Sequence, residues 1–251
     1  MGRRTTQGSR SGRTSGVVSV VVIVLLLVAG LASGLLDQTT DAAPAPTAPA
    51  AAQPSPPAPT AAPGTALDLL AALPVKGRAA KTGYDRAQFG PRWHDVDHNG
   101  CDTRNDVLGV QLADPVRDGR CRVTAGTLHD PYTGTTIAFV RGQGTSELVQ
   151  IDHVVALSDA WQKGAQSLTP ERRTAFANDP LNLLAVDGAA NSQKRDGDAA
   201  TWLPKNRDFR CAYVARQVAV KTRYGLWVTP AEHDAVARVL GTCPAEPVPV
   251  R

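Results

Sequence analysis

The sequence predicts an α+β domain, a small antiparallel sheet decorated with helices. Three observations carry that expectation. Residues 124–142, "TAGTLHDPYTGTTIAFVRG", place two β-rich runs around Asp130-Pro131 and Thr133-Gly134, the pattern of a hairpin whose return strand is 137–140. Two further apolar runs, 148–157 and 183–186, have the length of strands. Helix starts are written at Thr169-Pro170-Glu171, a threonine cap with proline in the first helical position, and at Thr229…Glu232, a capping box.

The domain does not begin at the first residue of the 251-residue chain. Residues 1–16 carry Arg3, Arg4, Arg10 and Arg13 and no acid. Residues 17–36, "VVSVVVIVLLLVAGLASGLL", carry no charge at all. At about 1.5 Å per residue such a helix spans a bilayer. The arginines favour a cytoplasmic start, which puts everything after residue 36 outside. Both an uncleaved anchor and a cleaved signal fit. The run exceeds the usual signal core, yet small residues near 29–34 and 42–43 offer cleavage sites. Residues 37–66 read as a linker, charge-free from residue 42 and built of Ala, Pro, Thr and Ser, a composition that cannot bury a core. The globular domain is expected over 67–251.

Four cysteines fall in that domain, Cys101, Cys121, Cys211 and Cys243, and none stands in a C-x-x-C pair. In an exported chain an even count reads as two disulfides, with three possible connectivities. Loop-closure entropy prefers near neighbours, Cys101–Cys121 and Cys211–Cys243. Cys101 itself sits inside "DVDHNGCDTRND" (95–106). Asp95, Asp97, Asn99, Gly100 and Asp106 match positions of a calcium loop, so Ca²⁺ is a candidate ligand there. Against it stand Asp102 where an apolar residue belongs, an Asp at the last position and no clear flanking helices. A turn tied down by Cys101 is the favoured alternative.

The run 148–157, "LVQIDHVVAL", raises a different question, because Asp152 and His153 interrupt it. Burying two ionisable groups costs several kcal/mol, roughly 1–3 each even with partial compensation. Stability alone does not explain them. Downstream, Asn182 opens the run 183–186, Asp187-Gly188 turns the chain, and "AANSQKR" begins a helix carrying Asn191 and Lys194. Residues 209–224 and 229–241 read as two more helices, the second ending at Gly241. Residues 194–223 hold eight basic side chains against three acidic ones, a local excess suited to a polyanion on a chain whose net charge is only +4.

The ordered set Asp152-His153, Asn182 and Asn191 resembles the signature of HNH endonucleases. The stretches "YDRAQFGPRW", "NGCDTRNDVL", "DHVVALSDAW", "NDPLNLLAV" and "NSQKRDGDAATWLP" resemble exported bacterial HNH proteins related to the GmrSD-type restriction endonuclease C-terminal domain, over about residues 80–225. The resemblance implies a ββα-metal finger within a disulfide-stabilised domain, hydrolysing phosphodiesters with little sequence specificity. It casts His153 as general base and Asn182 as the brace that orients it. Asp152 and Asn191 become ligands of one divalent cation, Mg²⁺ by their hard oxygens, with tight zinc disfavoured because Asn191 replaces the more familiar histidine. Lys194 and Arg104 become phosphate contacts, Arg104 alternatively structural. Asp187 is a further ligand candidate or simply a turn residue.

The implied partner is nucleic acid, DNA ahead of RNA, with the membrane engaged through 17–36 if that segment is retained, and no protein partner. Two other readings compete: a calcium-dependent envelope-binding module whose HNH-like site no longer cuts, and a toxin-like effector using the same chemistry. An intact His153 argues against the first of these.

Overall fold

A computed structural model describes residues 64–250. The basic N-terminus, the apolar segment 17–36 and the linker as far as residue 63 lie outside the described residues. Among the described residues no helix is long and apolar enough to cross a membrane.

The elements run α1 (Ala66–Ala71), α2 (Thr103–Gln111), β1 (Ala113–Asp118), β2 (Arg122–His129), β3 (Thr136–Val140), β4 (Val149–His153), α3 (Leu157–Trp161), α4 (Pro170–Asn178), β5 (Leu183–Asp187), α5 (Gly188–Lys194), α6 (Arg210–Tyr224) and α7 (Pro230–Leu240). Strands β1, β2 and β3 form one antiparallel sheet in that order, and β4 pairs with β5 in a separate antiparallel ribbon. The α+β class is therefore as expected, with two small sheets in place of one. Helices α4 and α7 begin where their caps are written: Thr169 accepts from Arg172 N–H, and Thr229 and Glu232 form the full capping box.

Strand β4 is shorter than its apolar run. The ladder stops at His153, residues 154–156 leave the ribbon, and α3 starts at Leu157. Asn182 explains the stop. Its carbonyl accepts from Val154 N–H at 2.9 Å and its side-chain oxygen from Val155 N–H at 2.8 Å. Those two bonds replace the missing ladder and bend the chain away, so no backbone donor is left unpaired.

The ribbon is buried on both faces, which accounts for its near-continuous apolar pattern. Val149, Ile151, Leu183 and Ala185 pack with α2 and the three-stranded sheet, whereas Leu184 and Val186 pack with Ala190 of α5 and the residues of α6 and α7. A third cluster joins Phe89, Trp161, Phe176 and Tyr224 around the insert between β4 and β5. Two disulfides close the periphery. Cys101–Cys121 links the loop before α2 to the β1–β2 turn, and Cys211–Cys243 links the start of α6 to the end of α7.

A charged cluster is buried inside the helical half. Lys163, with no side-chain exposure, reaches Asp159 at 2.6 Å and Asp198 and Glu232 at 2.7 Å each. Lys221 adds contacts to Glu232 at 2.9 Å and Asp159 at 3.5 Å, and Arg78 joins Asp159 and Asp198 from the rim. Three cations face three carboxylates, so the charges balance. Burial alone would push Asp198 up, but the Lys163 ammonium holds it below its ordinary value. The cluster fastens the segment after α5 to α3, α6 and α7.

Candidate active site

The sequential order β4, β5, α5 brings Asp152, His153 and Asn191 to one cleft of about 420 Å³, at the end of the ribbon. Alternation along β4 sends Asp152 and His153 to opposite faces. His153 meets Trp93, ring parallel to ring within 8°, on the face of Ile151. Asp152 meets Tyr132 and Lys194 on the other. The cleft wraps around the strand end and so is lined by both.

His153 Nε2 lies 2.9 Å from the carbonyl oxygen of Ala177, in the last turn of α4. A carbonyl only accepts, so Nε2 carries the proton and Nδ1 keeps its lone pair. Among the described residues Nδ1 has no hydrogen-bond partner. Burial lowers the His153 pKa to about 3; the Ala177 bond opposes that shift, while Arg86 and Lys194 reinforce it. The ring is consequently neutral at physiological pH. An unfolded histidine protonates near pH 6.5. The folded value is depressed, so this group's contribution to stability is complete above pH 6.5 and is lost as pH falls toward 3. An NMR titration should show the His153 ring unchanged from pH 8 to 5, and a midpoint near 6.5 would refute the partly buried, Ala177-bonded ring.

Asn182 is fully buried, and among the described residues it makes no hydrogen bond to His153. Besides closing the turn at 154–155 it donates to the Phe176 carbonyl at 3.4 Å. It thereby fastens the chain just after His153 to the helix end that supplies the Ala177 acceptor. Asn191, on α5, donates through Nδ2 to Gln150 Oε1 at 2.8 Å. Its amide oxygen has no hydrogen-bond partner among the described residues.

Lys194 departs from expectation. Rather than reaching outward for a phosphate, its ammonium is buried and bonds Asp152 at 3.0 Å and the His153 carbonyl at 2.9 Å. The physical reason is the buried carboxylate beside it: burial pushes Asp152 up, and the Lys194 charge and the Tyr132 hydroxyl, 2.5 Å away, pull it back. Arg104 does line the cleft, half-buried, and donates to the Val149 carbonyl at 3.3 Å. Asp187 caps α5 by accepting from Ala190 N–H at 2.7 Å, which is a structural use.

The basic run 194–223 is likewise spent largely inside the fold. Lys194 and Lys221 are ion-paired in the interior, Arg223 pairs with Asp179, and Arg210 and Arg216 donate to backbone carbonyls. The cleft takes from that run Arg195, and draws the rest of its positive charge from Arg86, Arg92 and Arg104. Arg86 and Arg92, with Trp93, Gln150 and Tyr132, were not singled out from the sequence. The visible trace of Arg86, Arg92 and Trp93 was the stretch "YDRAQFGPRW" as a block. Trp93 and Arg195 also adopt positive φ, 56° and 54°, conformations that cost about 1–3 kcal/mol and cluster at functional sites.

Of residues 95–106, Arg104 lines the cleft and the calcium-loop positions do not. Residues 90–102 hold no helix, and α2 starts inside the motif, capped by Asp102. Asp95 accepts from the Asn99 and Gly100 N–H groups, and Asn99 from Cys101 N–H, so these side chains tie the turn to itself.

Residues 102–239 match the family described as GmrSD restriction endonucleases, C-terminal domain. The chain belongs to this family. A protein of Arthroderma benhamiae described as an uncharacterized secreted protein is 38% identical over 181 residues, covering 71% of this chain and 85% of that relative. No solved structure matches the chain. The matched GmrSD C-terminal segment begins at the cap of α2 and ends in α7, so it contains the whole β4–β5–α5 unit and every candidate residue from Arg104 to Lys194.

Proposed function

We propose that this member of the GmrSD C-terminal family is an extracytoplasmic, metal-dependent endonuclease that hydrolyses phosphodiesters in nucleic acid, DNA foremost, with little sequence specificity. In this reading β4, β5 and α5 are the ββα-metal finger, with α3 and α4 inserted between its strands. The observation that carries it is the Ala177–His153 bond, which leaves Nδ1 unprotonated and unpartnered beside four arginines. His153 Nδ1 takes the proton of the attacking water. Arg86, Arg92, Arg104 and Arg195 hold the phosphates, and no base-reading geometry is needed for that.

A basicity as low as that of His153 is partly the work of neighbouring cations. An anionic phosphodiester bound among them opposes that effect and raises the basicity where it is used. Asn182 acts through His153 by holding both the turn after it and the helix end that bonds it.

The residues fit a hard divalent cation of the Mg²⁺ class by donor type: a carboxylate from Asp152, whose oxygens also accept from Tyr132 and Lys194, and an amide oxygen from Asn191 that has no hydrogen-bond partner among the described residues. When bound, the cation supplies charge neutralisation at the scissile phosphate. Burial raises the Asp152 pKa, and the Lys194 ammonium opposes that shift. Extracytoplasmic placement is supported by the two disulfides and by the secreted description of the Arthroderma benhamiae relative.

Purified protein should nick plasmid DNA with Mg²⁺ or Mn²⁺, stop on addition of EDTA and resume when the metal is restored. Absence of cleavage of both DNA and RNA with Mg²⁺, Mn²⁺ and Ca²⁺ would refute the nuclease and favour a binding module.

A further inference from the structure

The geometry points to Gln150 as the positioning residue that aims the oxygen of Asn191 into the cleft, an inference that rests on the metal-dependent reading above. An asparagine offers an oxygen on one side of its carboxamide and an NH₂ on the other, and only the oxygen can ligate a cation. Something must decide which side faces the cleft. The half-buried Asn191 side chain has one hydrogen-bond partner among the described residues, Gln150, whose carboxamide is equally ambiguous. The ambiguity ends at the next link. Gln150 Nε2 lies 3.4 Å from the Glu147 carbonyl oxygen, which can only accept. Gln150 must therefore turn its NH₂ toward Glu147 and its oxygen toward Asn191. Asn191 must in turn answer with its NH₂, at 2.8 Å, and so presents its oxygen to the cleft.

The anchor of this relay is held by the backbone. A Cβ at Gly188 would collide with the Glu147 carbonyl oxygen and crowd Gln150 Nε2. Glycine at the first position of α5 lets that carbonyl lie against the helix start. Strand pairing fixes the other end, since Gln150 sits opposite Val186 in the ribbon. Gln150 also lines the cleft with Asn191, so the relay runs along its wall.

The test uses the asymmetry of an amide against the symmetry of a carboxylate. Mn²⁺ binding to the purified full chain is measured by calorimetry and by the loss of the free-ion EPR signal, without substrate. The proteins are wild type, Gln150→Met, Asn191→Asp, the double variant and Asn191→Ala. Methionine keeps the length of Gln150 but holds nothing in orientation. Removing an outer partner of a metal ligand weakens binding about 10–100-fold, and that is the loss expected for Gln150→Met. Aspartate at 191 offers an oxygen whichever way it turns, so Gln150→Met in that background should change affinity by less than about twofold, set against that same range.

An equal loss in both backgrounds would overturn the proposal, because Gln150 would then act as a ligand or a scaffold. Wild-type affinity in Gln150→Met together with loss in Asn191→Ala would also overturn it. Unchanged binding in Asn191→Ala overturns it differently, by removing Asn191 from the metal and with it the reading on which the relay depends. Unfolding temperatures of all five proteins establish that each is folded when measured.

Discussion

Replacing His153 with alanine is expected to remove about 10²–10⁴-fold of the phosphodiester cleavage rate, the range that a positioned general base contributes. His153 is the one imidazole among the described residues that line the cleft, whose charged side chains are the four arginines, Asp152 and Asp196. Affinity for nucleic acid should persist, because the arginines remain and phosphate contacts dominate binding. The fold should persist too, since His153 gives the core one hydrogen bond and one ring contact. Asp152 calls for a gentler substitution. Truncating it leaves the Lys194 ammonium buried without its counter-charge, so Asp152→Asn is the informative variant. It should require more Mg²⁺ or Mn²⁺ before activity returns, whereas His153→Ala should not be rescued by metal. Plasmid nicking rates across a metal titration separate the two. If His153→Ala cuts at the wild-type rate while Asp152→Asn is inactive, the base has been assigned to the wrong residue.

The largest effect on stability is expected at Lys163, outside the cleft. Lys163→Met leaves Asp159, Asp198 and Glu232 facing only Lys221 and Arg78, one positive charge short in a buried site. Breaking a buried ion pair by removing one partner costs about 3–5 kcal/mol. Urea unfolding should register that loss at pH 7.5. The deficit should shrink toward pH 5. An unbalanced buried carboxylate has a raised pKa in the folded state, so the folded protein binds a proton that the unfolded chain releases, and stability falls as pH rises. A loss under about 1 kcal/mol, as for an exposed pair, would show that Lys163 is not the keystone of the cluster.

Several features were legible in the sequence because each has a local physical cause. Thr169 and Thr229…Glu232 announced their helices through backbone N–H groups that need partners, and near-neighbour cysteines found each other as loop entropy prefers. The order Asp152-His153, Asn182, Asn191 was readable because strand, turn and helix set the spacing. Helix α2 was not readable. Its interior holds Asn105, Asp106 and Gly109, all weak helix formers, and its cap, Asp102, stood where a calcium loop wants an apolar residue. Strand β1 contains Pro115 and a positive-φ Asp114, tolerated because β1 is an edge of its sheet. Lys194 was misplaced because helix periodicity says which residues share a face with Asn191. It does not say that the face turns toward a buried carboxylate. The arginines of the cleft come from three separate segments, with Arg86 and Arg92 together in one of them, and no short window along the chain contains all four.

The partner that fixes the proton on His153 is a main-chain oxygen, and this governs how the base can be altered. A side chain in that role is lost by one substitution; the carbonyl of residue 177 is present whatever amino acid occupies the position. Sequence drift across most of α4 therefore leaves the ring's protonation pattern untouched. A one-residue deletion in α4 is another matter, because it rotates the helix end by about 100° and carries the oxygen away from the ring. The base is thus robust to exchange of residues and vulnerable to changes in their number, a difference that a library of substitutions and single deletions over 170–178 would display directly.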